Sequence, residues 1–453
     1  MSIRDRLKAK LGRIFGQWRK ETSLHEKLSS VGHLLTGSFL GSLIGLIAFT
    51  LTARALGVVE YGMLALCFSY TRAIERIISF QSWQPLIKYG AGLKGPEGDA
   101  DLKSLLKFGL CLDVAAASLS WLIAVVLAFA AGSILQLTAS SQQLLLAYCT
   151  VLLFQVSGMP TAVLRLFGHF RAIAYGQFAT SLVRLVLCGI GIAMNGGLFE
   201  FAMIWIVTQI FGSLVFVVFA FRILHKRGIK NILSAPLAGI SNRFPGIWGF
   251  AWSANLSLTI RSTAFEGDTL LVGWLADPAS AGLYHIAKRV GRTIQQVGVQ
   301  VQTVVYPDVA RLWAKQAYAE FKRSIIQIEL ILLAFGVLVF VFFYFSIATI
   351  LRVTAGPEFL AASSLVVVQT IAGSITLSGS ALRSALLAMG QQHKLLIIVI
   401  AATAAFHCTA LLLIPQIGAM GANIAHIVMA IILGGNMLRV FTREFSKKAT
   451  RSD

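Results

Sequence analysis

The chain has 453 residues, 57% of them hydrophobic and 13% charged, with a mean hydropathy of +0.76. That composition excludes an ordinary soluble domain and predicts an all-α polytopic membrane protein. A net charge of +20 would suggest nucleic acid in a soluble protein, but in a membrane protein Lys and Arg collect on cytoplasmic loops, so no nucleic-acid partner is expected.

Residues 1–30 are basic. Ile3, Leu7, Leu11, Ile14, Phe15 and Trp18 share about a third of a helical wheel, with Arg4, Arg6, Lys8, Lys10 and Arg13 elsewhere. The pattern predicts either a cytoplasmic amphipathic helix lying on an anionic leaflet or a frayed basic tail supplying a topogenic signal. No cleavable signal is predicted, because the apolar run from Val31 is longer than a signal core and lacks a small-x-small exit. Runs able to cross about 30 Å of hydrocarbon as helices follow at 31–53, 62–87, 105–132, 143–167, 172–195 and 198–221. The basic, Pro-containing segment 223–246 reads as a cytoplasmic linker. Six more runs follow at 247–275, 282–306, 325–351, 360–388, 393–414 and 417–438, and the chain closes on a basic tail at 441–453. The predicted lobes are therefore 31–222 and 247–440.

Loop charges check this topology. With the N-terminus inside, 29 of the 39 Lys and Arg fall on inner segments and two, Arg54 and Arg352, on outer ones. Both termini are thus predicted to be cytoplasmic. All five cysteines lie in apolar runs and read as small buried hydrophobes, with no paired-cysteine spacing for a disulfide or metal site. Shifting the second half by 220 residues aligns YGMLALCFSYTRAI (61–74) with AGLYHIAKRVGRTI (281–294), matching Gly62 with Gly282 and Arg72 with Arg292. A shift of 222 aligns LRLFGHFR (164–171) with LLAMGQQH (386–393). The two lobes therefore read as a parallel internal repeat.

Eight basic residues remain inside spans: Arg72, Arg76, Arg184, Arg261, Lys288, Arg289, Arg292 and Arg383. Against them, at comparable depth, stand three clear carboxylates, Glu75, Glu266 and Asp268. A charge at mid-bilayer costs roughly 2.5 to 3.5 kcal/mol on insertion scales, so their placement asks for a cause. Arg383 is close enough to the inner end to snorkel. At 100° per residue, Arg72, Arg76, Ser79 and Trp83 share a face with Glu75 at its margin. His285, Lys288, Arg289, Arg292 and Gln296 make a second stripe flanked by Gln295, and Ser257, Arg261 and Asp268 a third, with Glu266 pointing elsewhere. Pairing of Arg72 or Arg76 with Glu75, and of Arg261 with Asp268, would leave Lys288, Arg289 and Arg292 without partners within sequence reach. A water-filled, anion-binding cavity accommodates that excess. His407 and His426 read as interhelical hydrogen-bonding residues, and Arg54 as a headgroup anchor. No Walker loop, HExxH or GxSxG motif occurs, so neither enzyme activity nor a cofactor or metal is expected.

The segments ARALGVVEYGMLAL (53–66), SFQSWQPLIKYGA (79–91), GMPTAVLRLFGHF (158–170), GDTLLVGWLADPASAGLYHIAKRVG (267–291) and VVYPDVARL (304–312) resemble the polysaccharide-transport family of oligosaccharide flippases. That family includes the O-antigen flippases and shares a superfamily with the multidrug and toxin extruders and the lipid II flippases. The resemblance implies two pseudo-symmetric six-helix lobes around a cavity open alternately to each side. It implies transfer of a polyprenyl-pyrophosphate-linked oligosaccharide across the bacterial cytoplasmic membrane for surface polysaccharide assembly, alongside polymerase and chain-length proteins. The matching pyrophosphate-binding positions are Arg72, Arg292, Arg261, Arg76 and Lys288. Arg184, Arg289, Ser79, Gln295 and Gln296 are further cavity candidates. Glu75, Glu266 and Asp268 are candidates for binding a driving Na⁺ or H⁺, or for salt bridges. The linker is expected to act as a tether or gate. Two alternatives stay open: a multidrug exporter of the same fold, disfavoured by the net positive interior, and a membrane polysaccharide polymerase or ligase, disfavoured by the short outer loops.

Overall fold

The computed structural model describes residues 22–79, 82–93, 95–134 and 138–449, with side chains at all of these except 22–39, 95–97, 131–134, 253–258, 260, 261, 300, 303, 304, 307, 448 and 449. The basic segment 3–18 lies outside the described residues, among which all regular structure is helical.

Helix α1 (Thr22–Ile78) contains the first two spans, which part at Gly57, where φ is 73°. Only glycine takes that backbone without strain. A short α2 (Trp83–Gly90) follows, then the third span, α3 (Gly95–Ile134). The fourth span is broken: α4 (Ala139–Cys149), a 3-10 turn (Thr150–Phe154) and α5 (Gly158–Leu166). Helices α6 (Phe170–Ala193) and α7 (Leu198–Lys226) complete the first lobe, and α8 (Ile240–Arg243) is a single turn in the linker. In the second lobe α9 (Ile247–Glu266) and α10 (Asp268–Leu275) make the seventh span, followed by α11 (Pro278–Ala314) and α12 (Tyr318–Thr354). The tenth span is again broken: a 3-10 turn (Pro357–Ala361), α13 (Ala362–Ser378) and α14 (Ser380–Ala388). Helices α15 (Gln392–Ile417) and α16 (Ala419–Ala449) end the bundle. The twelve predicted spans each fall on one of these helical stretches.

Nine helical stretches among the described residues are long and apolar enough to cross a bilayer, and the first of them, Leu40–Gly90, holds two spans. The seventh and eighth spans, which together hold Arg261, Glu266, Asp268, Lys288, Arg289 and Arg292, are not among the nine. They are tolerated because α11 packs between α1 and α13, with the charged turns covered by protein.

Two interiors position the site. One core runs through both lobes, with Phe49, Tyr61, Phe68 and Trp205 packed against Tyr284, Phe359 and Phe406. A second, at the end carrying most loop charges, joins Leu86, Leu105, Met159 and Leu224 to Ile232, Phe244 and Ile247. Through it the linker is bound to the first lobe rather than hanging as a tether. The Tyr89 hydroxyl donates to the Pro245 carbonyl at 2.9 Å, Lys107 Nζ to that of Ala235 at 2.8 Å, and Lys88 lies 4.1 Å over the Phe250 ring. Cys67, Cys149 and Cys188 are buried as expected, whereas Cys111 and Cys408 are exposed on spans; a thiol is apolar enough to face lipid.

Candidate functional site

Arg72, Glu75 and Arg76 on α1 and Ser79 just past its end recur at three- and four-residue spacing, and together they form one wall of a cavity of about 450 Å³. Trp83 continues that wall. Asp113 and Ser120 enter from α3, Gln155 from the break in the fourth span, Gly158, Thr161 and Arg165 from one face of α5, Gln177 from α6 and Ser213 from α7. Every lining residue belongs to the first lobe.

Arg72 Nη1 donates to Glu75 Oε2 at 2.8 Å, the in-helix pair anticipated for this face. Arg76 has no hydrogen-bond or ion-pair partner among the described residues, and its buried Nε is unsatisfied, as are Arg72 Nε and Ser120 Oγ. Arg76 is half-buried, and beyond its buried Nε the guanidinium lines the cavity. Arg165, also in the lining, stacks over the Trp83 ring at 4.4 Å.

The second lobe treats its cations differently. Lys288, Arg289 and Arg292, which have no carboxylate in sequence reach, all find tertiary partners. Arg292 Nη2 donates to Glu266 Oε2 and to the Phe265 carbonyl, each at 2.7 Å. Lys288 pairs with Asp268 and donates to Thr269 Oγ1 at 3.1 Å. The Arg289 guanidinium sits 3.6 Å from the centroid of Phe49, a cation–π contact between lobes. Asp268 is saturated: besides Lys288 it accepts from the Tyr284 hydroxyl at 2.8 Å and from the Thr269 backbone N–H at 2.7 Å, and lies 3.0 Å from His426 Nε2. Glu266, placed by wheel arithmetic away from Asp268's face, nevertheless meets α11. Gly267 keeps right-handed helical dihedrals between the two helices (φ −82°, ψ −17°), and the long Arg292 stem reaches Glu266 from α11.

The other predicted residues scatter. Arg184 Nε donates to Thr208 Oγ1 at 3.0 Å and its guanidinium covers Trp205, outside the cavity. Gln296 accepts from Ser42 Oγ at 3.0 Å, and Gln295 is half-buried on α11. The side chain of Arg261 lies outside the described residues. His426 bridges helices as expected, but His407 contacts the Thr403 carbonyl of its own helix at 2.8 Å. Arg54 is exposed, and its Nη1 donates to the Val353 carbonyl in the other lobe at 2.8 Å. Among the described residues no three His, Cys, Asp or Glu side chains converge as metal ligands.

Asp113 and Arg165 were not singled out by sequence reasoning. Asp113 is one acid in the apolar run LCLDVAAASL, a signal that counting intramembrane carboxylates could have caught; Arg165 was read as a loop charge.

At the end opposite the linker the lobes touch through the repeat-related glycines. A Cβ on Gly62 would lie 1.8 Å from the Pro278 carbonyl oxygen, and one on Gly282 would lie 2.8 Å from that of Val58. The Tyr61 hydroxyl and His285 Nδ1, 2.9 Å apart, bridge the lobes beside this contact. The bundle is closed there.

Residues 28–313 match the model of a family described as polysaccharide biosynthesis protein. The inner membrane protein YghQ of Escherichia coli (strain K12) is 25% identical over 295 residues, spanning 65% of this chain and 83% of that one. An inward-facing multidrug resistance MATE family transporter of the MOP superfamily superposes with a TM-score of 0.74 at 12% identity, covering 91% of this chain and 96% of that one. The lipid II flippase MurJ in an inward closed conformation gives 0.70 at 15% identity, covering 92% and 90%.

Proposed function

The chain belongs to the polysaccharide biosynthesis protein family, and from that premise we propose that it is a flippase carrying a polyprenyl-pyrophosphate-linked oligosaccharide from the inner to the outer leaflet of the bacterial cytoplasmic membrane. The observation that carries this reading is Arg76, a cation with no partner among the described residues, in the wall of a polar cavity one turn from Arg72. A diphosphate supplies the missing anion, and guanidinium groups bind phosphate oxygens in paired hydrogen bonds that gain strength where water is scarce. Gln155, Thr161 and Ser213 on the opposite walls suit sugar hydroxyls, while the prenyl tail stays in the bilayer. The bundle closed at the Gly62–Gly282 contact fits a state loaded from the basic, cytoplasmic end, with both termini on that side.

Rocking of the lobes then opens the opposite end. An inside-negative potential favours outward movement of an anion by roughly 2.3 kcal/mol per charge per 100 mV. Glu75, Glu266 and Asp268 are each already bound to a basic side chain, which favours ion-pair roles for them over a site for a driving Na⁺ or H⁺. Lys288 and Arg292 then act as parts of the second lobe's framework, and Arg72, Arg76 and Arg165 hold the substrate.

In proteoliposomes loaded with a fluorescent polyprenyl-diphosphate oligosaccharide, Arg76→Ala is expected to slow flipping at least about tenfold, the loss of one charge-assisted contact, at unchanged protein yield. Flipping at the wild-type rate would remove Arg76 from the mechanism.

A further inference from the structure

Asp113 is the buried acid of the cavity, 6% exposed, and no basic side chain pairs with it among the described residues. Its oxygens are instead spent on joining two walls. Oδ1 accepts from Ser82 Oγ at 2.5 Å, and Oδ2 accepts from the backbone N–H of Met159 at 2.6 Å. Ser82 precedes Trp83 at the foot of the α1–α2 wall, and Met159 lies in the first turn of α5, whose Gly158, Thr161 and Arg165 face the cavity. The approach is close enough to require glycine: a Cβ on Gly158 would fall 1.8 Å from Ser82 Oγ and 2.5 Å from Asp113 Oδ1. The carboxylate's charge is met by the unsatisfied N–H groups at the start of α5 rather than by a cation.

The same device recurs in the second lobe. Glu329, on the ninth span where Asp113 is on the third, accepts from the backbone N–H of Leu382 at 2.8 Å, in the first turn of α14. Helices α5 and α14 are the second halves of the two broken spans. Glu329, however, faces an apolar groove of about 500 Å³ lined by Ile325, Leu330, Ile375 and Ile431, and no cationic wall stands opposite it.

We propose that Asp113 is a positioning residue for the cavity, fixing the α5 face that carries Arg165 against the α1–α2 wall that carries Arg76 and Trp83, and that Glu329 is its repeat counterpart without a site to position. The inference rests on the flippase reading for what the cavity binds, and on geometry alone for the latch.

The test uses the full-length protein in nanodiscs, with geranylgeranyl diphosphate as the probe and hydrogen exchange at the Met159 and Leu382 amides as a second readout. Asp113→Ala is expected to weaken binding at least about tenfold and to speed exchange at Met159. Asp113→Asn, whose amide oxygen still accepts from Met159 and whose amide nitrogen still reaches Ser82, is expected to restore both to within about threefold. Glu329→Ala is expected to speed exchange at Leu382 while leaving binding unchanged. Wild-type binding in Asp113→Ala, or equal weakening in Glu329→Ala, overturns the proposal. If the unaltered protein binds no diphosphate, the flippase reading falls, and exchange alone decides the latch: Met159 protection lost with Ala and kept with Asn supports it, and protection retained with Ala overturns it.

Discussion

The two lobes share a helical plan and repeat-related arginines yet use them oppositely. In the first lobe Arg72 pairs with Glu75 on its own helix, a contact that leaves the guanidinium free to present its remaining edge to the cavity, and Arg76 beside it has no partner among the described residues. In the second lobe Arg292 reaches to α9 for Glu266 and a main-chain carbonyl, and Lys288 to α10 for Asp268. A pair within one helix costs little to rearrange, whereas a buried pair between helices fixes their packing. Arg72 and Arg292, at equivalent positions, thus pair within one helix in the first lobe and between helices in the second, and what separates them is where the carboxylate sits.

The largest expected effect breaks this contrast directly. Asp268→Ala leaves Lys288 buried at 6% side-chain exposure with its counter-ion gone and strands Tyr284 and His426. Removing one partner of such a pair costs about 3 to 5 kcal/mol, so loss of folded protein is expected by fluorescence-detected size-exclusion thermostability. Arg76→Ala removes a charge with no partner among the described residues and is expected to keep or raise the midpoint temperature. Equal destabilisation by the two changes would show that Arg76 is as structural as Asp268.

Spans and repeat were legible because each depends on local composition: twenty apolar residues cross a bilayer whatever surrounds them, and Gly62 and Gly282 align in sequence as they meet in space. The α1 wall was legible too, since Arg72, Arg76, Ser79 and Trp83 follow one helical face. What escaped depends on contacts between distant segments. Nothing near Lys288 announces Asp268, twenty residues back across a reversal of chain direction. The partner of Glu266 escaped because a wheel gives the face of a residue and not the reach of a long side chain on another helix, here Arg292. A count of intramembrane carboxylates would have flagged Asp113, but not its partners, because these are the backbone N–H of Met159 and the hydroxyl of Ser82, groups with no charge to pair against in sequence.

A smaller effect separates the paired glycines. Gly62→Ala drives a methyl into the Pro278 carbonyl, backbone that cannot rotate away, while Gly282→Ala meets the Val58 carbonyl a full ångström more gently. Overpacking of this kind costs typically about 1 to 3 kcal/mol, and here it acts on the contact between lobes rather than on either lobe's fold. The expected outcome is a shift toward the state open at this end, larger for Gly62→Ala, read as faster maleimide labelling of a cysteine placed at Tyr61. Labelling equal to that of the unaltered glycines would mean that the lobes already separate there.

The smallest effect tests the repeat at Gly212 and Gly434, which correspond at the same shift of 222 that aligns the fourth and tenth spans. A Cβ on Gly212 would lie 2.9 Å from Thr180 Cγ2, and Thr180 is held in its rotamer by a 2.8 Å hydrogen bond to the Gly176 carbonyl. A Cβ on Gly434 meets nothing within 4 Å. Alanine is better than glycine in a helix by up to about 1 kcal/mol, so Gly434→Ala is expected to raise the thermal midpoint slightly. At Gly212 the same gain is offset by the strike on a β-branched side chain that has no free rotamer to retreat into, and a net loss of about 1 kcal/mol is expected. Opposite signs from one substitution at equivalent positions follow only if the first lobe is packed tight around its cavity while the second leaves its groove open; shifts of the same sign would mean that the two lobes differ in charge alone.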